Sequence, residues 1–174
     1  FDRRILVPFP IESKLGGVAE PVGPGRRAWY RRTFEVPAEW QGQRLVLHFG
    51  AVDWEAEVHV DGRHVGTHRG GYTPFSFDVT RDLAADRARH ELVVAVWDPS
   101  DAGLQPRGKQ VRRPRGIWYT PVTGIWQSVW IEPLPAASID RVVPVADLAA
   151  GTVTLRVDGT RLDASSGVVL SSGA

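Results

Sequence analysis

Apolar and polar side chains alternate residue by residue through most of this chain, which is the pattern of strands that bury one face. The clearest run is Glu55 to Asp61, with Ala56, Val58 and Val60 assigned inward and Glu55, Glu57, His59 and Asp61 outward. Trp29 to Val36 puts Tyr30, Phe34 and Val36 on one face and Trp29, Arg31, Thr33 and Glu35 on the other. Arg32 interrupts the apolar face, so it must end at a rim, pair with an acid or reach a site. Arg44 to Phe49 turns Leu45, Leu47 and Phe49 inward and His48 outward, and Phe75, Phe77 and Val79 alternate again. His90 to Trp97 is apolar on both parities, as expected of a strand covered on both faces. Further strands are expected at Gln127 to Glu132, Ser138 to Val145 and Thr152 to Val157.

Between these runs stand turn signals. Asp61-Gly62 is a hairpin signal, because glycine takes the left-handed geometry that a two-residue turn demands. Gly50 to Trp54, His68 to Pro74 and Asp158-Gly159 read as turns, and Thr80 as the cap of a short helical turn through Asp82, Leu83 and Ala84. Ile5 to Ile11 is extended but broken by Pro8 and Pro10, and Ser13 to Arg27 is irregular. No long amphipathic helix is expected. The fold class is therefore all-β, an antiparallel sandwich in the jelly-roll or immunoglobulin style. Its core is expected to hold Phe34, Leu45, Leu47, Val58, Val60, Phe77, Leu92 and Val94. Pro133-Leu134-Pro135 marks a boundary between a first domain, residues 1–135, and a second segment, residues 136–174. Two or three strands cannot bury a core alone, so that segment reads as the truncated opening of a second β-sandwich.

One stretch resists the pattern. Leu104 to Glu132 carries three of the seven tryptophans and five bases, Arg107, Lys109, Arg112, Arg113 and Arg115, with no acid before Glu132. Gly103, Pro106, Gly108, Pro114 and Gly116 forbid a regular helix or a central strand in its first half. Loops beyond roughly a dozen residues are uncommon in compact domains and are often functional. Two readings follow: an edge loop whose arginines lie on tryptophan faces, or a wall of a binding site.

The composition, 43% hydrophobic and 24% charged over 174 residues, is that of an ordinary globular protein. With a net charge of +1, nothing supports a general nucleic-acid binder, and no nucleic-acid partner is expected. The absence of cysteine excludes disulfides, thiol nucleophiles and cysteine metal sites. No apolar run is long enough for a membrane span, and no membrane partner is expected. Phe1-Asp2-Arg3-Arg4 is not a translation start, so the chain reads as a piece of something longer, and localisation and oligomeric state stay open.

The chemistry-bearing residues are sparse. His59, His64 and His68 have a suggestive spacing, but a turn separates the first two, and no metal site is expected. No nucleophile elbow and no phosphate-binding glycine loop occurs. Glu55 and Glu57 point the same way, on a face that reads as solvated, not as a glycosidase pair. Asp53, at a strand start beside Trp54, reads as a holder of a turn.

The segments ILVPFPIES, Val52-Asp53-Trp54, EVHVDGRHVGTHRGGYTPFSFDVT, HELVVAVWD and RRPRGIWYTPVTGIWQSVWIE, in that order, resemble the N-terminal domain of glycoside hydrolase family 2. The family includes β-galactosidases, β-glucuronidases and β-mannosidases. The motif positions are Asp53, Asp61-Gly62, the loop His68, Gly70, Gly71 and Tyr72, and the run Gly124-Ile125-Trp126. The resemblance covers nearly all of Ile5 to Pro135.

It implies a jelly-roll, galactose-binding-like domain labelled sugar-binding, followed by the start of an immunoglobulin-like domain. It implies that the parent cleaves β-linked carbohydrates with two glutamates on a following (β/α)₈ barrel. No catalytic residue and no cofactor is then expected within this chain, whose partner would be that barrel. Relatives place a substrate-contacting aspartate six positions before Gly124, where this chain has Trp118. The implied substrate contacts are Trp118, Tyr119, Arg113 and Arg115, with aromatic stacking in place of a carboxylate. A free-standing carbohydrate-binding module and a purely structural interaction domain stay open as alternatives. Arginines could also favour a uronate, because a guanidinium fork matches a carboxylate.

Overall fold

The computed structural model describes residues 1–84 and 87–162. The chain divides into two compact units, the first Phe1–Glu132 and the second beginning at Pro133. The strands that begin in the first unit are β1 (Ala28–Glu35), β2 (Arg44–Phe49), β3 (Val52–Asp53), β4 (Glu55–Val60), β5 (Arg63–Arg69), β6 (Phe75–Asp78), β7 (Arg89–Trp97), β8 (Gly124–Ile125) and β9 (Val129–Leu134), the last crossing the boundary.

They form a four-stranded sheet in the order β1-β7-β4-β5, a three-stranded sheet in the order β6-β2-β9, and the small pair β3-β8. The pairings β1–β7, β4–β7, β4–β5, β2–β6 and β3–β8 are all antiparallel. The inward faces of the two larger sheets share one core, built from Leu45, Leu47, Phe49, Ala56, Val58, Val60, Leu92, Val94 and Val96. The domain is thus an antiparallel β-sandwich. Six of the eight expected core residues are fully buried, and Phe34 and Phe77 are half-buried against the same cluster. β7 is the middle strand between β1 and β4. Its second face is covered at Ala95 and half-covered at Val93 and Trp97.

Several local expectations change. Gly50 to Trp54 is not a simple turn: Val52 and Asp53 form β3, paired with Ile125 and Gly124 far along the chain. β5 continues through His68 to Arg69, because Ala56 and Glu55 of β4 pair with both. Glu55 is not solvated: its side chain is 12% exposed and held by Arg27 and Arg69. Asp61 does not face out. Its carboxylate accepts from the Ala84 and Glu91 amides and from His90 Nδ1. Thr80 caps no helix: its hydroxyl accepts from the Leu45 amide, and residues 80–83 make turns only. Arg32 ends at a rim. β1 is an edge strand, and its exposed Arg32 lines an open cleft with Val7, Leu92 and Val129.

Pro133 does not stop β9, which runs to Leu134. β9 lies at a sheet edge, where a missing N–H costs no ladder bond. The second unit is described as one hairpin, β10 (Ser138–Asp147) with β11 (Thr152–Thr160). Asp158-Gly159 is therefore strand and not turn, with a register shift between Ile139 and Arg141 on the partner. Val142, Val145 and Val153 are exposed. Residues 163–174, part of the segment expected to open a second sandwich, lie outside the described residues.

Candidate functional site

The long loop between β7 and β8 is pinned from beneath by one buried side chain. Between Leu104 and Thr120 the one buried residue is Gln110, 6% exposed. Its side-chain amide donates to Asp53 Oδ2 at 3.0 Å and to the Tyr72 hydroxyl at 3.2 Å. Its carbonyl accepts from the Val122 amide at 2.6 Å. Both N–H groups of that amide have acceptors and its oxygen has a donor, which fixes its orientation.

Around Gln110 the loop closes on itself. The Tyr119 amide donates to Lys109 O at 2.8 Å and the Val111 amide to Tyr119 O at 3.0 Å. The segment between those rungs carries Arg112, Arg113, Arg115, Ile117 and Trp118 outward. Arg112 pairs with Asp101. Arg113 and Arg115 are exposed and make no ion pair among the described residues. Trp118 is 41% exposed and Tyr119 63%. Lys109 lies 5.8 Å from the Tyr119 ring centroid. Arginine–tryptophan stacking, one of the two readings of this loop, is absent among the described residues. Trp130 stacks on His48 instead, at 4.8 Å and 9° between planes.

Beneath the loop the motif residues meet. Asp53, 3% exposed, lies directly under Gly71. The Gly71 carbonyl accepts from the Trp126 indole at 2.8 Å, and Tyr72 meets Trp126 edge-on at 6.0 Å. His68 stacks on Phe75 at 4.0 Å, and burial lowers its pKa. The Gly70 amide donates to Trp54 O. Gly124, at φ +94°, lies against the Tyr30 hydroxyl, which accepts from the Ile125 amide at 3.3 Å. Asp53 was expected to hold a turn through backbone donors; its partner is a side chain 57 residues away.

Two further carboxylates sit close by. Thr123 donates its amide to Glu12 Oε2 at 2.9 Å and its hydroxyl to Asp98 Oδ2 at 2.8 Å. Asp98 is buried and also accepts from the Ser100 amide. Burial pushes Asp53 up to about 7, against the Gln110 hydrogen bond and with the help of the charges on Asp98 and Glu12. Burial likewise raises Glu12, and the Asp98 charge adds to it. Tyr30 is also raised by burial. Glu12 and Asp98 thus hold the loop's second end at Thr123, and Asp53 holds its middle at Gln110, with burial and like charge raising both Asp53 and Glu12.

Among the described residues no group of three His, Cys, Asp or Glu side chains converges as a metal site. Asp53 is 3% exposed, so the cluster holds the loop in place, and the exposed groups are those on the loop's outer side. The sequence reading missed Gln110, Glu12, Asp98 and Thr123. Asp98-Pro99-Ser100 carries a turn signal that could have marked Asp98. Nothing in the local pattern marks Gln110.

Residues 7–134 match the family model described as glycosyl hydrolases family 2, sugar binding domain. A β-galactosidase of Thermoanaerobacter pseudethanolicus is 31% identical over 149 residues, 83% of this chain and 19% of that protein. A β-glucuronidase of Paenibacillus borealis is 31% identical over 91 residues, 51% of this chain and 15% of that protein. The solved structure of a Lactobacillus rhamnosus β-glucuronidase aligns with a TM-score of 0.66 at 26% identity, over 88% of this chain and 27% of that one. The chain spans at most 19% of either curated relative.

Proposed function

This chain belongs to glycosyl hydrolases family 2, whose sugar-binding domain matches residues 7–134, and from that premise we propose that the whole protein hydrolyses the O-glycosidic bonds of β-linked sugars. In this reading the catalytic acid and nucleophile stand on a (β/α)₈ barrel beyond the chain, and the sandwich supports that barrel and walls its pocket. The hairpin β10–β11 then opens an immunoglobulin-like domain between the two.

The observation that supports the wall is the asymmetry of the long loop. Gln110 is buried and held by three hydrogen bonds, while Trp118, Tyr119, Arg113 and Arg115 stand exposed around it. Aromatic faces stack on the CH surfaces of sugar rings. The guanidinium groups of Arg113 and Arg115, without an ion pair among the described residues, suit an anionic sugar or an anionic neighbour of the sugar cleaved.

The test is an assay of the full-length protein on aryl β-galactosides, β-glucuronides and β-mannosides, with the isolated chain beside it. Turnover by the full-length protein and none by the isolated chain is expected. A full-length protein inert on all three, or a chain that cleaves unaided, overturns the reading.

A further inference from the structure

Nothing in the fold class requires a glutamine inside the loop, yet Gln110 ties three separate segments together. Its amide nitrogen reaches Asp53 of β3 and Tyr72 of the β5–β6 loop, and its oxygen reaches Val122 before β8. Its own backbone belongs to the rungs that close the outer loop, through the neighbouring Lys109 carbonyl and Val111 amide with Tyr119. A change in the side chain of Gln110 therefore acts on the backbone that carries Trp118.

We propose that Gln110 and Asp53 are a positioning pair that sets the height and angle of Trp118 at the substrate rim. The inference rests on the proposed function and names a specificity-determining device within it. The pair touches no substrate. Its polarity is one-directional: Asp53 accepts and Gln110 donates, while Gln110 Oε1 is taken by the Val122 amide. Turning the amide over would face two donors toward each other at Val122 whatever the charge on Asp53, and two acceptors at an ionised Asp53. The other titratable groups about the pair are Tyr72, Glu12 and Asp98; burial first, and then the charges on Asp98 and Glu12, favour a neutral Asp53.

This polarity can be reversed by substitution. Gln110→Glu puts a carboxyl against Asp53. The two can share a proton at low pH, and they repel once both ionise. Adding Asp53→Asn restores a donor–acceptor pair in the opposite sense. The introduced carboxylate then accepts from the new amide, from the Tyr72 hydroxyl and from the Val122 amide.

The experiment uses the full-length enzyme with an aryl β-glycoside that it cleaves. Hydrogen exchange is read at the Val111 and Tyr119 amides at pH 5.5 and 8.5. At pH 8.5, Q110E should lose protection at both amides and raise KM by about tenfold with kcat little changed, the mark of lost uniform binding. D53N/Q110E should recover both. W118A should raise KM similarly, and W118A/Q110E should add nothing further, because coupled residues are not additive. Should Q110E not fold, recovery in D53N/Q110E carries the same test, and an unfolded double variant overturns the proposal. Q110E with protected amides and an unaltered KM at pH 8.5 also overturns it. Lost protection beside a W118A enzyme indistinguishable from the parent overturns the proposed rim instead, leaving the anchor in place.

Discussion

The Asp53 carboxylate lies so close beneath Gly71 that a β-carbon on Gly71 would come within 2.5 Å of Asp53 Oδ1. The glycine of the His68–Tyr72 loop is needed for this close approach, not for an unusual backbone angle. Gly71→Ala must displace either the loop or the carboxylate, and the latter is held by Gln110. Overpacking of this kind costs about 1–3 kcal/mol. Thermal unfolding should show that loss, and Asp53→Ala in the same chain should relieve part of it. An additive double variant would mean that the two residues do not press on each other.

Asp53 gives the domain a pH signature. Its folded pKa is raised to about 7, against an unfolded value of about 3.9. An acid raised in this way binds more protons folded than unfolded, so stability falls as pH rises from about 4 to about 7 and levels off above that. Glu12, raised by the same burial, adds a loss of the same sign. Melting temperatures measured from pH 4 to 8 should decline over that window. The decline should be shallower in Asp53→Asn, and an identical slope in the variant would rule Asp53 out as its source.

Asp61 has the opposite sign. Burial alone would raise it, but hydrogen bonds from the Ala84 amide, His90 and the Glu91 amide outweigh that and hold it below the usual carboxylate range. Its contribution is present above the unfolded value of about 3.9 and is lost as pH falls through the lower folded value. Asp61→Ala leaves those donors unpaired in the interior and should cost about 1–3 kcal/mol. The loss should be largest near neutrality and shrink below pH 4, which denaturant titrations at pH 3 and 7 would reveal.

Two tryptophans of the same stretch should separate cleanly. Trp126 donates its indole N–H to Gly71 O in the packed layer, so Trp126→Phe should lower stability by about 0.5–1.5 kcal/mol. Trp118 is 41% exposed at the proposed rim, so Trp118→Ala should leave the melting temperature nearly unchanged and weaken substrate binding by about 1–3 kcal/mol, the scale of aromatic stacking on flat rings. Melting curves and specificity constants on both variants of the full-length enzyme give the comparison. A large stability loss with unchanged kinetics for Trp118 would make it a packing residue.

Alternation along the chain was enough to determine the sandwich, the inward set Leu45, Leu47, Val58, Val60, Leu92 and Val94, and the hairpin at Asp61-Gly62. Those features are local: a strand turns successive side chains to opposite faces, and burial of one face writes itself into the sequence with that period. Only the tertiary structure decided what the polar residues do. Asp61 was placed outward by parity, yet at the strand's end it meets His90, 29 residues on. Asp53 was given backbone partners and has Gln110. β3 was read as a turn because two residues are too short for a pattern, and its partner lies across the long loop at Gly124 and Ile125. A buried polar side chain must find a complementary group, and which group arrives depends on strand order and loop path, not on any period. Gln110 sits between two exposed-looking segments of a glycine- and proline-broken loop. No neighbour in sequence announces that it alone turns inward; the acceptor waiting at Asp53 does.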